Sequence, residues 1–282
     1  MKRGHPHDVP ITKSTTTDVT VRGKRLRVAV RPANGAGPRR PPLLLLRGLG
    51  ARLEVLDPLV EQLPPELEII RLDLPGVGAS PAPALPYHYA RLASLIAALL
   101  HTLGHDRVDV LGYSWGGGLA QQFALTQARH CRRLVLAATA TGALMVPARP
   151  HVLARMLTPR RHRDPAYARR IAGQLYGGSM RTHPERAGQA LRAHARSGST
   201  RGYLYQLLAI GSWTSLAFLK LIRQPTLVLA ADDDPLIPTV NARILAGALP
   251  HARLHLYRGG HLTLVTEPAD LAPVIDAFLT QP

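Results

Sequence analysis

The sequence predicts an α/β protein with a mostly parallel central sheet, an N-terminal β-hairpin and one inserted helical segment. Three observations carry this prediction. Short apolar runs that end on glycine or proline alternate with stretches of helical period. Near the N-terminus, two stretches instead alternate apolar with polar residues. From Gly142 to about Leu221 the strand signal stops altogether.

Residues 17–21 and 26–31 flank Arg22-Gly23-Lys24 and read as a hairpin with one buried face. Residues 43–46 run into Gly48, 68–72 into Pro75-Gly76 and 107–111 into Gly112, and continuous apolar strands of this kind are buried on both faces. Helical spacing over 53–63 and 89–103 separates them, and 117–127 and 133–138 extend the series as helix and strand. The stretch 142–221 is rich in arginine and histidine, helical in pattern, and punctuated by Pro147, Pro150, Pro159, Pro165 and Gly177-Gly178. Alternation then resumes with strand 225–230, helix 240–248, strand 252–257 and helix 268–279. The expected division is a core of residues 17–141 and 222–282, a helical cap of 142–221, and a disordered segment 1–16.

A chain of 282 residues with 46% hydrophobic side chains suits one large domain carrying an insertion. The apolar run 43–46 is far too short to span a membrane and the N-terminus lacks an apolar export segment, so a cytoplasmic protein without a transmembrane segment is expected. Cys131 is the sole cysteine, which rules out an intramolecular disulfide. The net charge of +17 raises the question of nucleic acid, but the arginines are dispersed, lysine occurs only at Lys2, Lys13, Lys24 and Lys220, and only 5% of residues are aromatic. A nucleic-acid partner is therefore not expected. The densest basic stretch, Arg160-Arg161-His162-Arg163, reads either as a face toward an anionic surface or as a solvated helix face.

Gly112-Tyr113-Ser114-Trp115-Gly116 places G-x-S-x-G between a strand and a helix. Small flanking residues let the chain turn sharply and hold the serine hydroxyl above the sheet edge, the nucleophile elbow of the α/β-hydrolase fold. A serine hydroxyl needs a base and the base needs an orienting acid, and both follow in the chain order this fold uses. His261, behind Gly259-Gly260 in the loop after the last strand, is the candidate base. Asp234, within Asp232-Asp233-Asp234-Pro235-Leu236-Ile237-Pro238, is the candidate acid, chosen over Asp233 for its offset before Pro238; Asp232 and Asp233 read as loop residues. The Trp115 N–H at the helix start and the Leu49 N–H within Arg47-Gly48-Leu49-Gly50 are candidate oxyanion donors, although Gly48 and Gly50 also suit a simple tight turn. Asp73, in Asp73-Leu74-Pro75-Gly76, reads as a cap on exposed backbone donors. No metal or cofactor is called for.

From Gly112 to about Leu264 the chain resembles the intracellular medium-chain-length polyhydroxyalkanoate depolymerases. The resemblance rests on SWGGGLAQQFA (114–124), LVLAATATGALMVP (134–147), LYGGSMRTHPE (175–185), GSWTSLAFL (211–219) and PTLVLAADDDPLIP (225–238). The N-terminal hundred residues match at superfamily level only. This resemblance implies hydrolysis of 3-hydroxyacyl esters in a stored polyester, with Ser114, Asp234 and His261 at the family's triad positions, and possible contact with a storage-granule surface. Arg47 and Arg52 depart from the superfamily pattern beside the oxyanion loop. Leu144, Met145, Leu204, Leu207, Leu208, Trp213 and Phe218 are candidates for an apolar acyl pocket under the cap, or else for packing of the cap helices. A general esterase, lipase or thioesterase acting on small acyl esters is the alternative enzyme, and a non-catalytic granule-binding protein the alternative of another class.

Overall fold

The computed structural model describes residues 13–34, 40–186 and 199–281. Eight strands form one sheet in the order β1-β2-β4-β3-β5-β6-β7-β8: β1 (Thr15–Val21), β2 (Lys24–Arg31), β3 (Leu43–Leu46), β4 (Ile69–Leu72), β5 (Val108–Tyr113), β6 (Cys131–Ala137), β7 (Thr226–Ala231) and β8 (Ala252–Tyr257). β1 and β2 pair antiparallel, β2 also meets β4 antiparallel, and β3 to β8 are parallel throughout. The hairpin begins earlier than the pattern predicted: Thr15 and Thr16 pair with Val30 and Ala29, because an exposed edge strand needs no buried residue to join a ladder. Of the segment expected to be disordered, residues 1–12 lie outside the described residues.

Strand periodicity sorts the apolar side chains onto the two faces of the sheet. Leu44, Leu46, Val110, Leu134 and Leu136 join one core with helices α2 (Tyr89–Thr102) and α3 (Trp115–Thr126). Leu43, Leu45, Leu111 and Val135 join the other with α1 (Asp57–Gln62) and the C-terminal α10 (Leu271–Leu279). In α2, Leu92, Ile96 and Leu99 fall on one helical face and are fully buried, each contributing roughly 1.5–3 kcal/mol. Cys131 is buried with them, as a small hydrophobe. The helix expected over 53–63 is divided into a 3₁₀ turn, Leu53–Leu56, and α1, because Pro58, in the first turn of α1, has no N–H to donate to the Glu54 carbonyl as a continuous α-helix would require. The closing helix is similarly preceded by a 3₁₀ turn, Pro268–Asp270.

Between β6 and β7 the chain leaves the sheet and forms α4 (Pro150–Met156), α5 (Arg160–Arg163), α6 (Pro165–Tyr176) and α7 (Thr200–Gly211), with 3₁₀ turns at Gly178–Arg181 and Leu216–Leu221 and no strand among the described residues. Asp164 caps α6 by accepting the Tyr167 N–H, and Ser199 caps α7 by accepting that of Gly202. After β7 come α8 (Val240–Ala248) and, past β8, α9 (Thr263–Thr266). No helix among the described residues is long and apolar enough to cross a membrane.

Candidate active site

β5 runs to Tyr113 and α3 begins at Trp115, so Ser114 alone makes the turn, with φ 55° and ψ −120°. A non-glycine residue held there carries about 1–3 kcal/mol of strain. Its surroundings over-determine it. The Ser114 N–H donates to Ala137 O (2.9 Å) and Ser114 O accepts from Thr139 Oγ1 (2.8 Å). The two glycines of the motif are required by space: a Cβ on Gly112 would stand 2.5 Å from Gly116 O, and one on Gly116 only 2.2 Å from Leu46 O.

The loop after β8 carries His261 over the sheet edge, where its Nε2 lies 3.0 Å from Ser114 Oγ and its Nδ1 2.7 Å from Asp234 Oδ2. Asp234 Oδ1 accepts the N–H groups of Leu236 (2.9 Å) and Ile237 (2.8 Å), which locks the carboxylate and leaves Oδ2 for the histidine. His261 and Asp234 are buried, and the His261 backbone is pinned on both sides: its N–H donates to Tyr176 O (2.7 Å) and its carbonyl accepts from Tyr113 Oη (2.8 Å). The structure thus brings together three residues far apart in the chain, in the geometry that activates a hydroxyl nucleophile.

The neighbouring aspartates, read from sequence as plain loop residues, have separate tasks. Asp232 Oδ1 accepts the Gly259 N–H (3.0 Å), holding the histidine loop. Asp233 accepts from the Gly178 N–H (2.8 Å) and, bidentately, from Arg181 Nε (2.6 Å) and Nη2 (2.7 Å), holding the inserted segment. The alternative acid is therefore committed elsewhere.

Leu49 lies in the loop facing Ser114, and neither its N–H nor that of Trp115 donates to another described residue. Next to them, the Gly50 N–H donates to Gln206 Oε1 and the Trp115 indole to Gln206 O, both at 2.8 Å, so one glutamine of α7 braces both sides of the prospective oxyanion site. Arg47 turns away from the mouth: it is buried against Asp73, Nη2 to Oδ1 3.1 Å. Asp73 also accepts the N–H groups of Leu53 (2.9 Å) and Ala79 (3.0 Å), as its sequence context suggested. Burial alone would raise the Asp73 carboxyl; the charge of Arg47 and these amides outweigh it and hold the group below the ordinary carboxylate range. Arg52 pairs with Glu54 at 3.4 Å.

A cavity of about 40 Å³ opens beside Ser114 and His261, with apolar walls from Ala51, Val55, Met156, Leu236 and Leu262 and polar ones from Arg161 and Tyr176. Ligand pockets typically measure roughly 300–1,000 Å³, so this cavity is small for a ligand of that size. None of the seven pocket candidates Leu144, Met145, Leu204, Leu207, Leu208, Trp213 and Phe218 lines this cavity. Leu144, Leu208 and Phe218 are 63%, 56% and 47% exposed on the outer side of the insertion, and Met145 is half-buried. Trp213 packs edge-on against Tyr89 and donates from its indole to Gln122 Oε1 (2.7 Å), fastening the insertion to α3. Helical spacing shows that a residue is apolar but not which way its helix is turned. Met156, Arg161 and Tyr176 were missed for the same reason, and Arg161 stands in the stretch that read as surface.

The chain matches the α/β-hydrolase fold family over residues 41–268. It is 49% identical over 263 residues to a poly(3-hydroxyalkanoate) depolymerase of Ectopseudomonas oleovorans, covering 93% of this chain and 92% of that one. The chain belongs to the poly(3-hydroxyalkanoate) depolymerase family of α/β-hydrolases. The depolymerase match reaches well into the N-terminal hundred residues, whose motifs by themselves match at superfamily level only. A depolymerase-family member is an ester hydrolase. More distantly, the chain is 32% identical to a pimeloyl-[acyl-carrier protein] methyl ester esterase of Aromatoleum aromaticum, over 84% of this chain and 97% of that one. In fold it is similar to the enol-lactonase of Burkholderia xenovorans LB400, at TM-score 0.80 and 23% identity, covering 94% of this chain and all of that one.

Proposed function

We propose that this chain hydrolyses 3-hydroxyacyl ester bonds of medium-chain polyhydroxyalkanoate through an acyl-enzyme on Ser114. The observation that carries the reading is the continuous hydrogen-bonded line from Ser114 Oγ through His261 to Asp234, in a chain 49% identical to a poly(3-hydroxyalkanoate) depolymerase. His261 Nε2 takes the Ser114 proton as Oγ attacks the ester carbonyl, and the N–H groups of Leu49 and Trp115 stabilise the oxyanion. His261 then protonates the departing hydroxyl end of the polyester. Water, deprotonated by the same imidazole, releases the acyl group. Asp234 holds the Nδ1–H tautomer and stabilises the imidazolium.

In this reading residues 142–221 act as a cap over a core of 17–141 and 222–282. The cap shifts to admit the aliphatic side chains that the walls of Val55, Met156, Leu236 and Leu262 accept. The protein works in the cytoplasm at the surface of storage granules. A second reading, an esterase for small acyl esters, is favoured by the small volume of the cavity, about 40 Å³.

Release of 3-hydroxyacids from amorphous medium-chain granules, compared with hydrolysis of p-nitrophenyl esters, tests both for the unaltered protein and Ser114→Ala. Granule release that depends on Ser114 supports the depolymerase. Turnover of the small esters alone moves the function to the esterase reading, and undiminished turnover by Ser114→Ala removes Ser114 as nucleophile.

A further inference from the structure

Among the described residues Arg161 has no charged partner, and it is placed beside the proposed nucleophile. It is only 3% exposed. Its Nη1 donates to Tyr203 Oη (2.6 Å) and its Nη2 lies 3.4 Å from Leu49 O, both neutral acceptors. Tyr203 Oη in turn donates to Met156 O (2.5 Å), so it meets Arg161 with a lone pair. No carboxylate among the described residues forms an ion pair with Arg161. The guanidinium also lies over the Tyr203 ring, 5.5 Å from its centroid, a contact that offsets part of its desolvation. Removing a guanidinium from water is costly unless an anion compensates it, so a buried one facing an aromatic ring and neutral oxygens is still without a counter-charge. A second polar group faces the same space. The buried Tyr176 hydroxyl is next to Arg161 and interacts with it, but makes no hydrogen bond of regular geometry among the described residues, and Tyr176, Arg161, Ser114 and His261 line one cavity.

We propose that Arg161, with Tyr176, forms a subsite for the free carboxylate of a 3-acyloxy acid, and so directs cleavage to the ester next to the carboxyl end of the chain. The proposal rests on the ester-hydrolase reading of Ser114. It follows from the direction of such a polyester: its one anionic group is the terminal carboxylate, which lies on the alcohol side of every ester bond. Only at the last ester do two carbons separate that carboxylate from the scissile oxygen, a span that suits two groups on the walls of one small cavity. With the carboxylate on Arg161, Ser114 Oγ bonds to the acyl carbon and the carbon–oxygen bond to the last unit breaks. The alkoxide takes its proton from His261 and leaves as one free 3-hydroxyacid, and water later frees the shortened chain, now ending in a new carboxylate.

The test uses the dimer of a medium-chain 3-hydroxyacid as free acid and as methyl ester, with the unaltered protein, Arg161→Met and Arg161→Lys. The unaltered protein is expected to favour the free acid in kcat/KM. Loss of a charge-assisted hydrogen bond lowers the acid-to-ester ratio roughly ten- to a hundredfold in Arg161→Met, with partial recovery in Arg161→Lys. A ratio at or below one in the unaltered protein overturns the proposal even if Arg161→Met fails to fold, and so does a ratio unmoved by either variant. Inhibition of p-nitrophenyl ester hydrolysis by the monomeric 3-hydroxyacid anion, compared with its methyl ester, separates this proposal from the polyester reading. Preferential, Arg161-dependent inhibition by the anion without dimer cleavage sustains the subsite while the polyester reading fails; equal inhibition by both overturns the subsite.

Discussion

Arg181 and Asp233 join the inserted segment to the loop that aims His261, through two hydrogen bonds of 2.6 and 2.7 Å one residue before Asp234. Adjacent carboxylates therefore do different work: Asp233 holds the insertion in place and Asp234 holds the histidine. Substitution tells them apart. Asp234→Asn is expected to lower kcat by about three to four orders of magnitude, since an amide in place of the carboxylate no longer holds His261 in the Nδ1–H tautomer or stabilises its imidazolium. Asp233→Asn keeps the Ser114–His261 contact and weakens a half-exposed pair worth about 1 kcal/mol or less, so its loss of kcat/KM stays within roughly tenfold. Steady-state kinetics on a p-nitrophenyl ester decides, and the reverse ranking would make Asp233 the acid.

Ser114 sits at φ 55°, a conformation that glycine adopts without penalty. Ser114→Gly is expected to abolish turnover while raising stability by about 1 kcal/mol, the lower end of what such strain stores. Urea unfolding of the two proteins checks this; a destabilised Ser114→Gly would show that the turn is unstrained.

The glycines of the elbow are expected to tolerate no Cβ. Gly116→Ala brings a methyl group to 2.2 Å from the Leu46 carbonyl, which is backbone of β3 and cannot yield as a flexible side chain would. A loss of about 1–3 kcal/mol or more is expected, together with reduced turnover as Trp115 moves. Thermal unfolding and kinetics measure the two effects. Near-native values for both would show that the close approach is not retained.

Asp73 is fully buried between Arg47 and two backbone amides, and Arg27 reaches it at 3.3 Å. Removing its charge leaves Arg47 buried and unpaired, so Asp73→Asn is expected to cost about 3 kcal/mol or more at neutral pH. The sign of the pH dependence follows from the depressed carboxyl of the folded state. The unfolded chain binds its proton at the higher pH, so the stabilisation is complete above the ordinary aspartate value of about 3.9 and is lost as pH falls through the lower, folded one. Urea midpoints of wild type and Asp73→Asn should differ most at neutral pH and converge in acid; a difference that grows in acid contradicts the assignment.

Much of this molecule is legible in its sequence. β3, α8 and β8 have the expected bounds, because apolar runs, period and flanking glycine or proline are local properties. The elbow was legible for a steric reason: only glycine fits at positions 112 and 116 when a strand turns into a helix against β3. The order of Ser114, Asp234 and His261 followed from where strands end, since loops at one sheet edge meet in space.

The pocket was not legible. Leu208 and Phe218 are apolar, yet they face outward, while Arg161, in a run of four basic residues, is buried beside Ser114. A four-residue helix such as α5 has no amphipathic pattern long enough to show its inner side. Its orientation is decided by contacts with Leu49, more than a hundred residues earlier, and with Tyr203 on α7. By itself, then, the sequence determined the sheet, the elbow and the residues able to act as nucleophile, base and acid, because these depend on local sterics and chain order. Only the tertiary structure decided what Asp232 and Asp233 hold, which residues of the insertion line the cavity beside Ser114 and that the Arg161 guanidinium stands there, because each depends on long-range packing that no local pattern encodes.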